Sequence, residues 1–169
     1  MLPGHKRHWY RKYMMTREIA LFLLTTVLPI SELRGGIPLG IVGTGLSPWS
    51  VFVIAVAANA LIFFPIFFAL PLLYDRFLSR IPLFNRYLES LRKRGKPKVD
   101  RHGFWGLTLF VAIPLPITGV YTGTALAWLL GMDWKKAFPP IGIGVIIAGV
   151  IVLLGALGVV EVFNIFVKS

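Results

Sequence analysis

Pro29-Ile30-Ser31-Glu32-Leu33-Arg34-Gly35-Gly36-Ile37-Pro38 sets one acid and one base between two apolar stretches. Neither Ile19–Ser31 before the pair nor Gly35–Tyr74 after it carries Asp, Glu, Lys or Arg. A charge at bilayer depth costs roughly 2.5–3.5 kcal/mol on insertion scales and usually serves function. The surrounding Gly and Pro favour a broken helix, and broken backbone survives in a bilayer where it is packed in protein or lines a wet cavity. The stretch reads as a substrate or ion site in a small polytopic membrane protein, with Gly35, Gly36, Pro38 and Gly40 as the break.

The rest of the chain fits a membrane setting. Of its 169 residues, 56% are hydrophobic, against about 45–50% for a soluble domain. Gly103–Met132 and Ala137–Val160 are also free of charged residues. A helical span needs about 20 apolar residues, so Ala137–Val160 fits one. Gly35–Tyr74 is too long for a single span, and Ile19–Ser31 is too short to cross as a straight helix. One membrane domain is expected over residues 1–169. It divides into a basic interfacial segment (1–17), a first repeat (18–73), a basic amphipathic connection (74–102) and a second repeat (103–169).

The net charge of +11 could suit nucleic acid, but the bases cluster at 6–17 and 76–101, beside apolar segments, as the positive-inside rule expects. No nucleic-acid partner is expected. The partners are the bilayer and, at the basic connection, anionic lipids. There, Phe77, Ile81, Phe84, Leu88 and Leu91 step by four, three, four and three, an apolar stripe that suits an interfacial helix. A solvated loop reads equally well for 92–101. The basic connection is expected on the cytoplasmic side of a multi-pass plasma-membrane protein. There are no cysteines, and His5, His8 and His102 lack ligand spacing, so neither a metal nor another cofactor is expected. A basic start followed by an apolar run resembles a leader peptide, but Glu18 interrupts it and no small-residue cleavage motif follows, so cleavage is not expected.

Ser47-Pro48-Trp49 carries an N-cap and a first-turn proline, which predicts a helix to about Leu73 with Asn59 near its middle and a kink at Pro65. The second half predicts short helices over 103–113 and 120–131 around a break at Pro114, Pro116, Thr118 and Gly119, then a long span from Trp134. The expected fold is therefore an all-α integral membrane protein of two repeats. Each is a Pro/Gly-broken, re-entrant helical hairpin plus a transmembrane helix, with amphipathic helices at the interface. Broken segments in corresponding positions point to a transporter site between them. If the broken segments instead cross fully, both termini and the central connection share one side.

Desolvation favours a neutral carboxyl, so Glu32 is a candidate proton carrier; the other reading is a structural Glu32–Arg34 pair that holds an unwound loop. The Arg34 guanidinium suits bidentate recognition of phosphate or carboxylate. Half-helix N-termini near Gly36–Leu39 and Thr118–Val120 would favour the same anion. Tyr121 and Thr122 could add hydroxyl contacts, although packing is the commoner role for such residues. Asn59 could reach the Glu32 break or bond another helix. No Ser/His/Asp set, HExxH or paired aspartates lie at membrane depth, so an enzyme is not expected.

Ser31-Glu32-Leu33-Arg34-Gly35-Gly36-Ile37-Pro38-Leu39-Gly40, Asn59 followed by Pro65, and Ala112-Ile113-Pro114-Leu115-Pro116-Ile117-Thr118-Gly119-Val120-Tyr121-Thr122-Gly123 together resemble the small multidrug export protein family, over nearly the whole chain from about residue 18. That family is distantly similar to the DedA (VTT-domain) superfamily. The resemblance implies two facing re-entrant hairpins, each packed on a spanning helix, and roles in lipid-carrier translocation, lipid scrambling or proton-dependent transport. The superfamily's acidic residue of the first hairpin matches Glu32. Its second-hairpin arginines have no counterpart in Ile113–Gly119, and Arg34 could supply that charge from the opposite hairpin. The expected function is a proton-linked transporter or flippase of a phosphate-bearing lipid. The alternatives are an exporter of lipophilic cations and a non-transporting scaffold. A thin bundle of two short hairpins suits a homodimer.

Overall fold

Residues 5–28 contain neither Gly nor Pro, and they form most of one helix, α1 (Gly4–Val27). The computed structural model describes residues 4–78, 86, 89, 102–115 and 118–168, with side chains for 16–76, 86, 89, 102–115 and 118–159. It contains no strand among the described residues. The other helices are α2 (Glu32–Gly43), α3 (Pro48–Leu61), α4 (Phe63–Leu73), α5 (His102–Ala112), α6 (Val120–Leu129) and α7 (Trp134–Lys168), with a π-helical turn Tyr74–Leu78 after α4. The chain forms two compact units, residues 1–58 with 149–169, and residues 59–148.

The first unit is built on a helical hairpin. At the end of α1, Thr26 Oγ1 donates to the Phe22 carbonyl at 2.8 Å. The chain turns through Leu28–Ser31, where Ser31 Oγ donates to the Thr25 carbonyl at 2.5 Å. α2 then returns along α1. Gly36 lies against Thr26 and Gly40 against Phe22, so rising numbers on α2 meet falling numbers on α1. The small-x-x-x-small spacing of Gly36 and Gly40 lets the two backbones close up. A Cβ on Gly40 would lie 2.6 Å from Val51 Cγ1 of α3 and 2.8 Å from the Phe22 ring. Phe22, Thr26, Leu33, Ile37, Val51 and Ala55 are buried here. Gly149 of α7 packs against Val56 and Phe52.

The break expected at Gly35, Gly36, Pro38 and Gly40 therefore lies elsewhere, since all four sit inside α2 and the chain reverses at Leu28–Ser31. The physical reason is packing. A glycine costs about 1 kcal/mol in a helix, and close contact with α1 and α3 offsets that cost. Pro38 removes one helical N–H without ending the helix. The described backbone of the basic segment, from residue 4, is helical and continuous with α1. Gly36→Leu is expected to destabilise the protein by about 1–3 kcal/mol or more, because a side chain there runs into Thr26. Gly43→Leu, where a Cβ meets nothing within 4 Å, is the control in thermal unfolding of detergent-solubilised protein.

In the second unit, α5 and α6 are joined by Ile113–Gly119, and Gly123 of α6 lies against Val111 and Leu107 of α5. Gly144 of α7 fits against Thr108 and Val111, and Thr108 Oγ1 donates to the Pro140 carbonyl at 3.1 Å. The rings of Phe63, Phe64 and Phe138 cluster with centroids 4.9–5.4 Å apart. The α3–α4 kink falls at Ile62, three residues before Pro65, whose missing N–H deprives the Leu61 carbonyl. Ser47 caps α3 as expected, accepting from the Ser50 N–H at 3.2 Å.

Helix lengths sort the elements. Pro48–Arg76 (29 residues) and Trp134–Val159 (26 residues) are long and apolar enough to cross a membrane. Just 33% of each apolar window is buried, so most of that surface is apolar and outward-facing, which suits lipid rather than a soluble core. Exposed Trp49 and Trp134 sit at the starts of α3 and α7, as interfacial anchors do. By contrast α2, α5 and α6 have 12, 11 and 10 residues. At 1.5 Å per residue they reach about 15–18 Å, roughly half the hydrocarbon thickness. The amphipathic stripe expected over 74–101 lies outside the described residues, apart from the turn Tyr74–Leu78 and exposed Arg86 and Glu89.

Candidate functional site

The turn that closes the first hairpin is apolar and exposed. Leu28 and Pro29 stand outward, and Ile30 is 90% exposed. A loop tip facing water is normally polar; this one suits hydrocarbon or a protein partner. Directly behind the tip, Glu32 opens α2. It is 7% exposed and has a φ of 45°, a left-handed conformation uncommon outside glycine that marks local strain. Its amide still donates to the Leu28 carbonyl at 3.0 Å, so the strained residue is the hinge between turn and helix. A carboxyl in the first turn of a helix also meets the positive end of the helix dipole.

Arg34 lies two positions further on and is half-buried. Its Nη2 is buried and has no hydrogen-bond partner. A buried donor left without a partner costs about 1–3 kcal/mol, and a guanidinium fork fits an oxyanion. The pairing of Glu32 with Arg34 was expected to follow from an unwound stretch. In the structure both residues stand at the start of α2, with Glu32 at a φ of 45°. The amides expected at Gly36–Leu39 as a half-helix end lie inside the helix, and the N-terminal turn is at 32–35.

The second group of candidates gathers at the α5–α6 turn. Gly119 has φ 134°, which favours glycine, and it is buried. Thr118 Oγ1 accepts from the Leu115 N–H at 3.0 Å and lies 3.1 Å from the Leu115 carbonyl. The same hydroxyl donates to the Ile113 carbonyl. Thr118 thus acts as the clasp of the turn, closing it around Pro114. Thr118→Val should cost about 1–3 kcal/mol from the lost bonds, and Thr118→Ser should recover most of it in the same thermal-unfolding measurement. Tyr121 is half-buried and Thr122 exposed in the first turn of α6, while Thr124 bonds back to the Val120 carbonyl at 2.5 Å. Pro116 lies outside the described residues. Asn59 is 1% exposed, and its carbonyl accepts from the Ile62 N–H at 3.3 Å where α3 ends. Glu32 and Arg34 belong to the first unit, and Asn59 and the Thr118 turn to the second.

Nothing in the residue pattern singles out the pair Ser31 and Thr25, whose hydrogen bond pins the first turn. A Ser just before a helix is usually read as an N-cap, and here its hydroxyl serves the preceding helix instead. A family model described as "Putative small multi-drug export protein" matches residues 32–151, which is 120 of the 169 residues. The match begins at Glu32, after α1 and the first turn, and takes in α2 to α6 and α7 as far as residue 151. No curated protein and no solved structure matches the chain.

Proposed function

Because the chain belongs to this export-protein family, we propose that it is a proton-linked membrane transporter of a phosphate-bearing lipid, with the acid and base of the first hairpin as its working groups. The observation that carries the reading is a buried carboxyl and a half-buried, unpartnered guanidinium nitrogen just behind an exposed apolar tip. The hairpin's second arm is about 18 Å long, too short to cross. A re-entrant hairpin inserted from one side would bring its tip and both charged groups near the middle of the bilayer. The second hairpin, with arms of 11 and 10 residues and exposed Ile113 and Leu115 at its turn, would do the same. This arrangement is DedA-like in kind. Glu32 takes up and releases the proton, and Arg34 holds the anionic head group.

Export of lipophilic cations is the second reading, one form that the multi-drug export of the family's description could take. Aromatic faces would have to bind the cation. The aromatic cluster of the second unit spends its faces on internal contacts, with Phe63 stacked on Phe67 at 5.2 Å and Phe64 tilted against Phe138 at 4.9 Å. Proteoliposomes containing fluorescent phosphatidylglycerol in one arm and tetraphenylphosphonium in the other separate the two. Protein-dependent movement of the anionic lipid alone supports the lipid reading. Movement of the cation alone replaces it with the second.

A further inference from the structure

Arg34, Pro38, Ile41 and Val42 fall at i, i+4, i+7 and i+8 along α2, one stripe of a helix surface. The last three of these residues line an apolar groove of about 320 Å³, completed by Gly155, Ala156 and Val159 of α7. All six belong to the first unit. Val42, Gly155 and Val159 are exposed, so the groove is open-sided. Its walls carry no polar side chain, and an ordered water would need two to four polar partners there. One turn before it along the same stripe stands the Arg34 guanidinium, with its buried Nη2 lacking a partner. A charged anchor at one end and an apolar trough about 6–12 Å further along the helix match an amphiphile with an anionic head and one apolar chain.

We propose that this groove seats the apolar chain of the anionic lipid whose head group Arg34 holds. The proposal rests on the lipid reading above and adds where the chain lies. Head and tail are recognised by one face of one short helix and its α7 neighbour. The small residues Gly155 and Ala156 keep the trough open. Because a Cβ on Gly155 meets nothing within 4 Å, a larger side chain there can occupy the trough without displacing backbone. Gly158 is equally open but does not line the groove, so it provides the control.

The test is calorimetric titration of the full chain in neutral detergent with butyl, octyl and dodecyl phosphate, each below its micelle-forming concentration. A buried methylene is worth about four-fold in affinity. With half that burial in an open groove, octyl phosphate should bind about ten-fold or more tightly than butyl phosphate. Gly155→Leu should reduce this ratio to below about two, and Gly158→Leu should leave it unchanged. Arg34→Ala should weaken all three ligands by similar factors. Equal behaviour of Gly155→Leu and Gly158→Leu would overturn the groove assignment. Binding of dodecyltrimethylammonium as tight as that of dodecyl phosphate would overturn the anionic head. Chain-length-dependent binding by a protein that moves no lipid keeps the groove and removes transport. Lipid transport indifferent to Gly155→Leu does the reverse.

Discussion

Glu32→Gln is expected to abolish the dependence of lipid movement on a pH gradient in proteoliposomes. Gln keeps the shape and the hydrogen-bonding reach of Glu but cannot take up and release a proton in this range. The residue is buried at the hinge of the first hairpin, so the isosteric change avoids a cavity and should leave thermal stability within about 1 kcal/mol. The residual rate should match that of the native protein without a gradient. A structural Glu32 would give the opposite pattern, with lowered stability and an intact gradient response.

Arg34→Ala is expected to reduce affinity for anionic lipid about 10- to 150-fold, the worth of one charge-assisted hydrogen bond at about 1.5–3 kcal/mol. Arg34→Lys should recover part of this, since ammonium retains the charge but not the bidentate fork. Stability should move the other way. The Nη2 of Arg34 is buried without a partner, so removing it relieves a desolvation cost, and the unfolding temperature should hold or rise. Function lost while stability is kept or gained is what a binding residue shows. A structural arginine would lose both together. Flotation with anionic vesicles and thermal unfolding, run on the same preparations, read the two effects.

Much of the fold could be read along the chain. Pro48 and Trp134 start α3 and α7 where expected, and at α3 the Ser47 cap is a local signal. The second turn also falls at 113–119, where Pro114 and the left-handed Gly119 leave the backbone few choices. The first turn was misplaced because Gly35, Gly36 and Pro38 read locally as helix breakers. Their role depends on contacts with Thr26 and Phe22 on another helix, which local rules do not see. Glu32 and Arg34 stood out because isolated charges are rare in apolar sequence. Their place at the start of α2, just behind the turn at Leu28–Ser31, could not be read without knowing where that turn falls. Thr118 was legible as part of the second break, but not the engagement of its hydroxyl by its own loop. The groove beside Pro38 joins residues more than a hundred positions apart, and no spacing rule announces it.

The most direct measurement is the rate at which fluorescent phosphatidylglycerol crosses liposome membranes containing the native protein, with and without an imposed pH gradient. The account predicts movement well above protein-free liposomes, accelerated by the gradient. A rate equal to that of protein-free liposomes under both conditions would contradict it.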